Sequence, residues 1–333
     1  MSRALRLWSI LTLLLLGTIA WALASGSTSI PLSDIPRLLF SPDGGAEAEI
    51  LQRLRLPRVL SAVAVGALLS VAGALMQVLL RNPLADPYVL GLSSSAAAGA
   101  LGMMALGASV WLVNLGAFGG ALLAVVLVFT LARRELGRLD VLSVSDESPR
   151  LLLTGVMVSS LAMAVVSMIL TLTPTDRLRG MLFWMLGDLS GADGAGWPWA
   201  ALGIILLALA PLGRELNLLL RGPGPAQMLG VAVGRVRLVV YLVASLTAAV
   251  AVTTAGSIGF VGLVVPHALR LLIGNDQRVL LPACALAGAA FLLAADTAAR
   301  TFWAPQQLPV GVLTAMVGAP SFIALLARRG GRR

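Results

Sequence analysis

The chain has 333 residues, of which 58% are hydrophobic and 12% charged, where a soluble domain carries about 25% charged residues. Its net charge is +9 and all 24 basic residues are arginine. That balance excludes an ordinary soluble domain and indicates an integral membrane protein, and because the arginines cluster in the connections between apolar runs, the charge reports topology rather than nucleic-acid binding.

A membrane helix needs roughly 20 mostly apolar residues to cross a hydrocarbon layer of about 30 Å. Runs of that kind fall at about residues 7–25, 58–80, 88–107, 111–132, 151–172, 197–213, 236–255, 260–273, 279–298 and 309–327. The first follows a basic start, as in a signal peptide. Its apolar stretch is long, however, and Ala22-Leu23-Ala24 matches a cleavage site poorly, so a retained first span is expected. The eighth is short and begins with Gly256, Gly259 and Gly262, which predicts a broken or re-entrant piece covered by protein or facing a water path.

Ten spans place both termini on one side. With that side inside, seventeen arginines fall in inner connections and seven in outer ones, the bias that the positive-inside rule requires. The expectation is an all-α membrane protein of about ten transmembrane helices, one domain over residues 1–333, with both ends cytoplasmic. Two connections are long, residues 26–57 and 172–198, both outside. The second contains an apolar piece at residues 178–186 that is expected to form a short surface helix. Small residues, as in Ser93-Ser94-Ser95-Ala96-Ala97-Ala98-Gly99-Ala100, let helices approach closely in lipid and predict a tightly packed bundle.

The second span ends in RNPLADP, residues 81–87. Prolines there stop one helix from running into the next. A simple turn does not require Asn82 and Asp86 as well, so the surplus polarity points to irregular backbone facing water or a partner. One cysteine, Cys284, and one histidine, His267, exclude an intrachain disulfide and leave little for a His/Cys metal site. No cofactor, catalytic group or metal ligand is expected, and His267 reads as a packed side chain. Asp296 is expected to pair with Arg300 one turn on. Met76, Gln77 and Met103 are candidates for lining a path.

The run LRLPRVLSAVAVGALLSVAGALMQVLLRNPLADPYVLGLSSSAAAGA, residues 54–100, resembles the signature of FecCD-type permeases, the membrane subunits of ATP-binding-cassette importers for iron-siderophores, haem and cobalamin. GSIGFVGLVVPHALR, residues 256–270, and LPVGVLTAMVGAPSFIALL, residues 308–326, are similar to the later signatures of that family, in the same order. The resemblance implies a cobalamin-permease-like bundle in the bacterial inner membrane. It also implies a homodimer with a central path, two ATPase subunits on the cytoplasmic side and a periplasmic substrate-binding protein above. The chain would be a transport subunit rather than an enzyme. It has no G-x-x-x-x-G-K-[ST] loop, and without lysine it cannot have one, so the energy source is another polypeptide.

The same resemblance assigns roles. Arg55, Arg58 and Arg300 match positions that receive acidic residues of the binding protein, where a guanidinium can hold a carboxylate bidentately. Asn82 and Leu84 match residues that narrow the cytoplasmic mouth, and Ser148 and Pro149 lie near a second gate, loosely aligned because Ser145-Asp146-Glu147 looks inserted. A coupling region at about residues 214–235 contains LNLLLRGPGPAQMLGV. There Gly222, Pro225, Ala226, Gln227, Leu229 and Gly230 match the short coupling helix that sits on the ATPase. Relatives carry acidic residues after the first glycine of this region, whereas Pro223-Gly224-Pro225 stands here. Proline suits a first helical turn, so a helix from about Pro225 is compatible. An ion-coupled secondary transporter is the alternative. It would want several ionisable groups near the middle of the spans, and the acidic residues fall mostly in connections or at span ends. The signatures do not distinguish the cargoes, and MLFWMLGDLSG, residues 181–191, resembles a variable region that does not translate into a ligand.

Overall fold

The computed structural model describes residues 3–26, 28–41, 45–137, 149–191, 196–304 and 306–330, and no strand occurs among them. In chain order the helices are α1 (Arg3–Ala24), α2 (Ile35–Phe40), α3 (Gly45–Glu49), α4 (Leu56–Leu79), α5 (Leu92–Ala105), α6 (Val110–Gly137), α7 (Pro149–Leu172) and α8 (Thr175–Met185). They continue with α9 (Gly196–Leu209), α10 (Gly213–Leu219), α11 (Pro223–Met228), α12 (Val233–Ala255), α13 (Val261–Ile273), α14 (Gln277–Thr301) and α15 (Val310–Gly330). A π-helical stretch, Ile50–Arg55, leads into α4.

Seven helical stretches are long and apolar enough to cross a membrane: Arg3–Ala24, Gly45–Leu79, Val110–Ala132, Arg150–Leu172, Gly196–Leu219, Val233–Ala255 and Gln277–Thr301. Three shorter apolar helices, Leu92–Ala105, Val261–Ile273 and Val310–Ala324, complete the set. These ten stand where the ten spans were expected, in order. The third is shorter than its apolar run, because residues 87–90 form a 3₁₀ turn and α5 begins only at Leu92.

α4 is the buried centre of the bundle. Alanine, serine and glycine give it little girth, so neighbours pack against its backbone. A Cβ on Gly66 would collide with the carbonyl oxygen of Gly288 in α14, and one on Gly73 with the carbonyl of Gly262 in α13. In lipid, where no hydrophobic force draws apolar helices together, such close van der Waals contact holds the bundle. α1 lies against α14, with the Trp8 indole donating to the Val279 carbonyl at 3.2 Å. α7 shows Leu153, Met157, Leu161 and Met168 outward, an apolar surface that suits lipid or a further subunit.

The expected break is present. α12 stops at Ala255, residues 256–259 are not helical and Phe260 has φ 70°. α13 has 13 residues, about 20 Å at 1.5 Å per residue and too short to cross alone. Protein covers the freed backbone. The Asp188 amide donates to Ala255 at 2.9 Å, Val310 to Gly187 at 3.1 Å and Gly311 to Leu186 at 3.0 Å. The short surface helix expected at residues 178–186 is present. The helix runs Thr175–Met185 with Met181 buried and most of its other residues outward, and the residues that follow it brace the end of α12 and the start of α15. Backbone groups away from water must pair with one another, which ties this segment to α12 and α15.

Candidate functional site

Three chain segments meet at one end of the bundle: the end of α1, the start of α4 and the end of α14. Arg55, Arg58 and Arg300 all lie there. Arg55 is buried and donates from Nη1 to the carbonyls of Leu23 at 2.6 Å and Ala24 at 3.1 Å, with Nη2 reaching the Thr28 carbonyl. Arg300 donates to the Ser25 carbonyl at 2.8 Å and also to that of Ala22. Two guanidiniums thus satisfy the last carbonyls of α1, groups that a helix end leaves without intrahelical partners.

Arg58 grips Asp296 as a fork. Its Nε lies 3.0 Å and 3.2 Å from the two carboxylate oxygens, its Nη2 2.9 Å from Oδ1, and its Nη1 donates to Gln307 Oε1 at 3.1 Å. The expected Asp296 to Arg300 pair exists at 3.9 Å but is secondary. The Arg58 side chain keeps 15% of its surface exposed and that of Arg300 9%. The structure therefore brings the three arginines together and engages each of them within the chain. Sequence reading missed Asp296 as the partner of Arg58 because 238 positions separate them. Removing one partner of such an enclosed pair costs about 3–5 kcal/mol, since the other charge is left without compensation.

The opposite end carries RNPLADP. Arg81 turns the chain with φ 48°, a left-handed conformation uncommon outside glycine. Asn82 Oδ1 then accepts the Leu84 amide at 2.9 Å, closing an Asx turn. Both Asn82 and Leu84 are exposed at its tip. Asp86 Oδ1 accepts the Tyr88 amide at 2.8 Å and so caps the 3₁₀ turn, while burial pushes the Asp86 carboxyl up to about 6. The turn then enters the bundle. A Cβ on Gly155 of α7 would lie 2.8 Å from Leu90 Cα, and one on Gly262 would lie 2.8 Å from Pro87 Cδ. The loop therefore touches both α7 and the start of α13. Ser148 lies outside the described residues, and Pro149 is the first residue of α7. Beyond the turn, Ser93 and Ser257 share a hydrogen bond of 2.6 Å, which ties the start of α5 to the break before α13.

Beside this loop stands the expected coupling region. Gly222, with φ 107°, opens α11 at Pro223, two residues before the expected start, and Gly230, with φ 82°, ends the turn behind it. Proline fits because a first-turn amide has no helical partner. Ala226 is buried and its amide donates to the Gly222 carbonyl at 3.2 Å. Pro225, Gln227 and Gly230 are exposed, as is the tip formed by Met228 at 85% and Leu229 at 53%. A Cβ on Gly222 would lie 3.6 Å from Arg81 Nη1, so the RNPLADP turn and the start of α11 are neighbours.

Two candidate path residues are placed elsewhere. Met76 and Gln77 are buried inside α4, Gln77 donating to the Leu263 carbonyl at 3.3 Å, and only Met103 retains partial exposure. The small residues of α4 admit neighbours on all sides, so no face of it is left for a path. His267 is buried with its ring edge-on to Phe322. Among the described residues no group of three or more His, Cys, Asp or Glu could hold a metal ion.

Comparison with known proteins agrees with this architecture along the whole chain. The ABC transporter permease protein YvrB of Bacillus subtilis, itself uncharacterized, is 40% identical over 95% of this chain and 92% of its own length. The vitamin B12 import system permease protein BtuC of Klebsiella pneumoniae is 39% identical over 97% of this chain and 93% of its own. A solved structure of a proposed metal-chelate type ABC transporter in an inward-facing conformation superimposes with a TM-score of 0.85 at 29% identity, covering 97% of this chain and 99% of that one. The sequence model of the FecCD transport family matches residues 13–328, and the chain belongs to that family.

Proposed function

We propose that the chain is the membrane-spanning subunit of an ATP-binding-cassette importer that brings a metal chelate into the cytoplasm, with a corrinoid of the cobalamin type as the first cargo to test. The observation that carries this reading is end-to-end similarity to cobalamin permeases, at 39% identity over 97% of the chain. Family membership makes the chain a transport permease and not an enzyme, and ATP hydrolysis belongs to separate subunits. In this reading two copies enclose the path, both termini are cytoplasmic, and access alternates as attached ATPases move the coupling region.

The exposed apolar tip of Met228 and Leu229 suits a groove on such an ATPase. With proline in place of acidic residues, that contact relies on shape and apolar burial more than on ion pairs. The exposed Asn82–Leu84 turn serves as the cytoplasmic gate, and Ser148 and Pro149 are assigned to a second gate. At the other end, Arg58 and Arg300 hold the Asp296 carboxylate with Arg55 close by and the Asp188 charge also acting on Arg58, and the surplus positive charge suits an acidic rim on a periplasmic binding protein. Arg58 is the guanidinium such a rim can reach, while Arg55 and Arg300 hold the ends of α1 and α14 in place.

The test is ATP hydrolysis by the chain purified with its co-expressed ATPase and binding protein. The binding protein loaded with cobalamin, with a ferric siderophore or with haem is added in turn. Stimulation by the cobalamin-loaded form alone supports the reading. Stimulation by another chelate corrects the cargo, and none by any of them argues against a chelate importer.

A further inference from the structure

One helix joins the two ends of the bundle. α14 has 25 residues, about 37 Å at 1.5 Å per residue. Its far end carries Asp296, held by Arg58 at the start of α4. Midway, α4 and α14 touch backbone to backbone at Gly66 and Gly288. The ion pair and the close crossing bind the two helices into one body, and the loop 81–87 hangs from the end of α4.

The near end of α14 is fastened to the coupling region by one side chain. Asn217 of α10 donates from Nδ2 to Asp276 Oδ1 at 2.8 Å, and its Oδ1 accepts the Gln277 amide at 2.8 Å. Asp276 is itself the N-cap of α14 and accepts the Arg278 amide at 3.1 Å. Alongside, a Cβ on Gly213 would lie 2.6 Å from Cγ of Arg278, so the two segments are also in van der Waals contact. A side chain needs both a donor and an acceptor to bridge a carboxylate and a backbone amide in this way, and the Asn217 amide supplies them. Aspartate would set a second negative charge against Asp276, and alanine would leave the first free amide of α14 unpaired.

We propose that Asn217 is the positioning residue through which displacement of α11 reaches the α4–α14 pair, and so both the gate loop and the arginine cluster. The inference rests on the reading of α11 as the ATPase contact. Pro282 removes one backbone bond in the second turn of α14, so a pull on the first turn is passed on only where the Asn217 bridge and the Gly213 contact hold that turn in place.

The experiment uses the chain co-purified with its ATPase in nanodiscs, with Cys284→Ser to remove the single native thiol. Phe302→Cys, at the exposed far end of α14, carries an environment-sensitive fluorophore. ATP with vanadate is added, and trapped nucleotide and the fluorescence change are measured on the same sample. With Asn217 present the fluorophore responds to trapping. Asn217→Ala and Asn217→Asp are expected to reduce the response per trapped nucleotide by about fivefold or more, as loss of a bridging hydrogen-bond pair implies, and Asn217→Gln to recover part of it. An undiminished response in Asn217→Ala overturns the inference. So does failure of the ATPase to co-purify with that variant, which would make Asn217 a docking residue and not a transmitting one. Met228→Asp examines the underlying reading by itself: if the ATPase still co-purifies, α11 is not the contact, whatever Asn217 does.

Discussion

Asp296 shows how a single residue changes role between sequence and structure. Its neighbour one turn on, Arg300, sits at 3.9 Å, while Arg58 makes the fork at 2.9–3.2 Å. Arg300 and Arg55 turn to the carbonyls that end α1, because an uncapped helix end inside protein is costlier than a looser ion pair. Asp86 is the other residue whose setting matters. Burial raises its pKa to about 6, against a smaller lowering by the hydrogen bond from the Tyr88 amide. The folded state therefore binds this proton more tightly than the unfolded chain does, and the contribution of Asp86 to stability rises as pH falls from 7 through 6 toward the ordinary carboxylate range. Asp86→Asn keeps an oxygen for the Tyr88 amide without the charge. Its melting temperature at pH 7.5 is expected to equal or exceed that of the parent, with a weaker dependence between pH 5 and 7. A clear loss of stability at pH 7.5, with the parental pH dependence retained, would show that the charged carboxylate is what the turn needs.

At the scale of elements, glycine spacing decides where helices can cross. Gly73 lies against the Gly262 backbone, whereas a Cβ on Gly119 of α6 would meet nothing within 4 Å. Gly73→Ala must push α4 and α13 apart and is expected to cost roughly 1–3 kcal/mol or more, as overpacking does, lowering the melting temperature and the monodisperse yield. Gly119→Ala should lie within about 0.5 kcal/mol of the parent. Equal melting temperatures for the two variants would mean that the crossing relaxes freely. The ten spans and the break after Ala255 were legible because length, hydropathy and glycine placement are local properties. The start of α5 at Leu92, the pairing of residues 186–188 with α12 and α15 and the burial of Met76 and Gln77 were not, since each depends on which distant backbone lies alongside. The family resemblance implied a short helix from about Pro225, and α11 lies there but starts at Pro223. Asn217, an ordinary polar residue in a connection, gave no local signal of its bridge to Asp276 and Gln277.

For the whole molecule, the charged residues with the least exposed surface among those described are Arg55 and Asp296, both at the arginine end. An ion-coupled carrier wants such groups near the middle of its spans, so the arrangement favours drive from an attached ATPase. On the proposed function, motion starts at the face that carries α11 and passes through the bridge to α14. The most direct measurement is accumulation of radiolabelled cobalamin in proteoliposomes holding the chain with its ATPase, with the binding protein on the outside. The expected result is an internal concentration above the external one only when ATP reaches the ATPase, and none for the chain alone under a proton or sodium gradient. Uphill accumulation by the chain alone, driven by either gradient, would contradict the account.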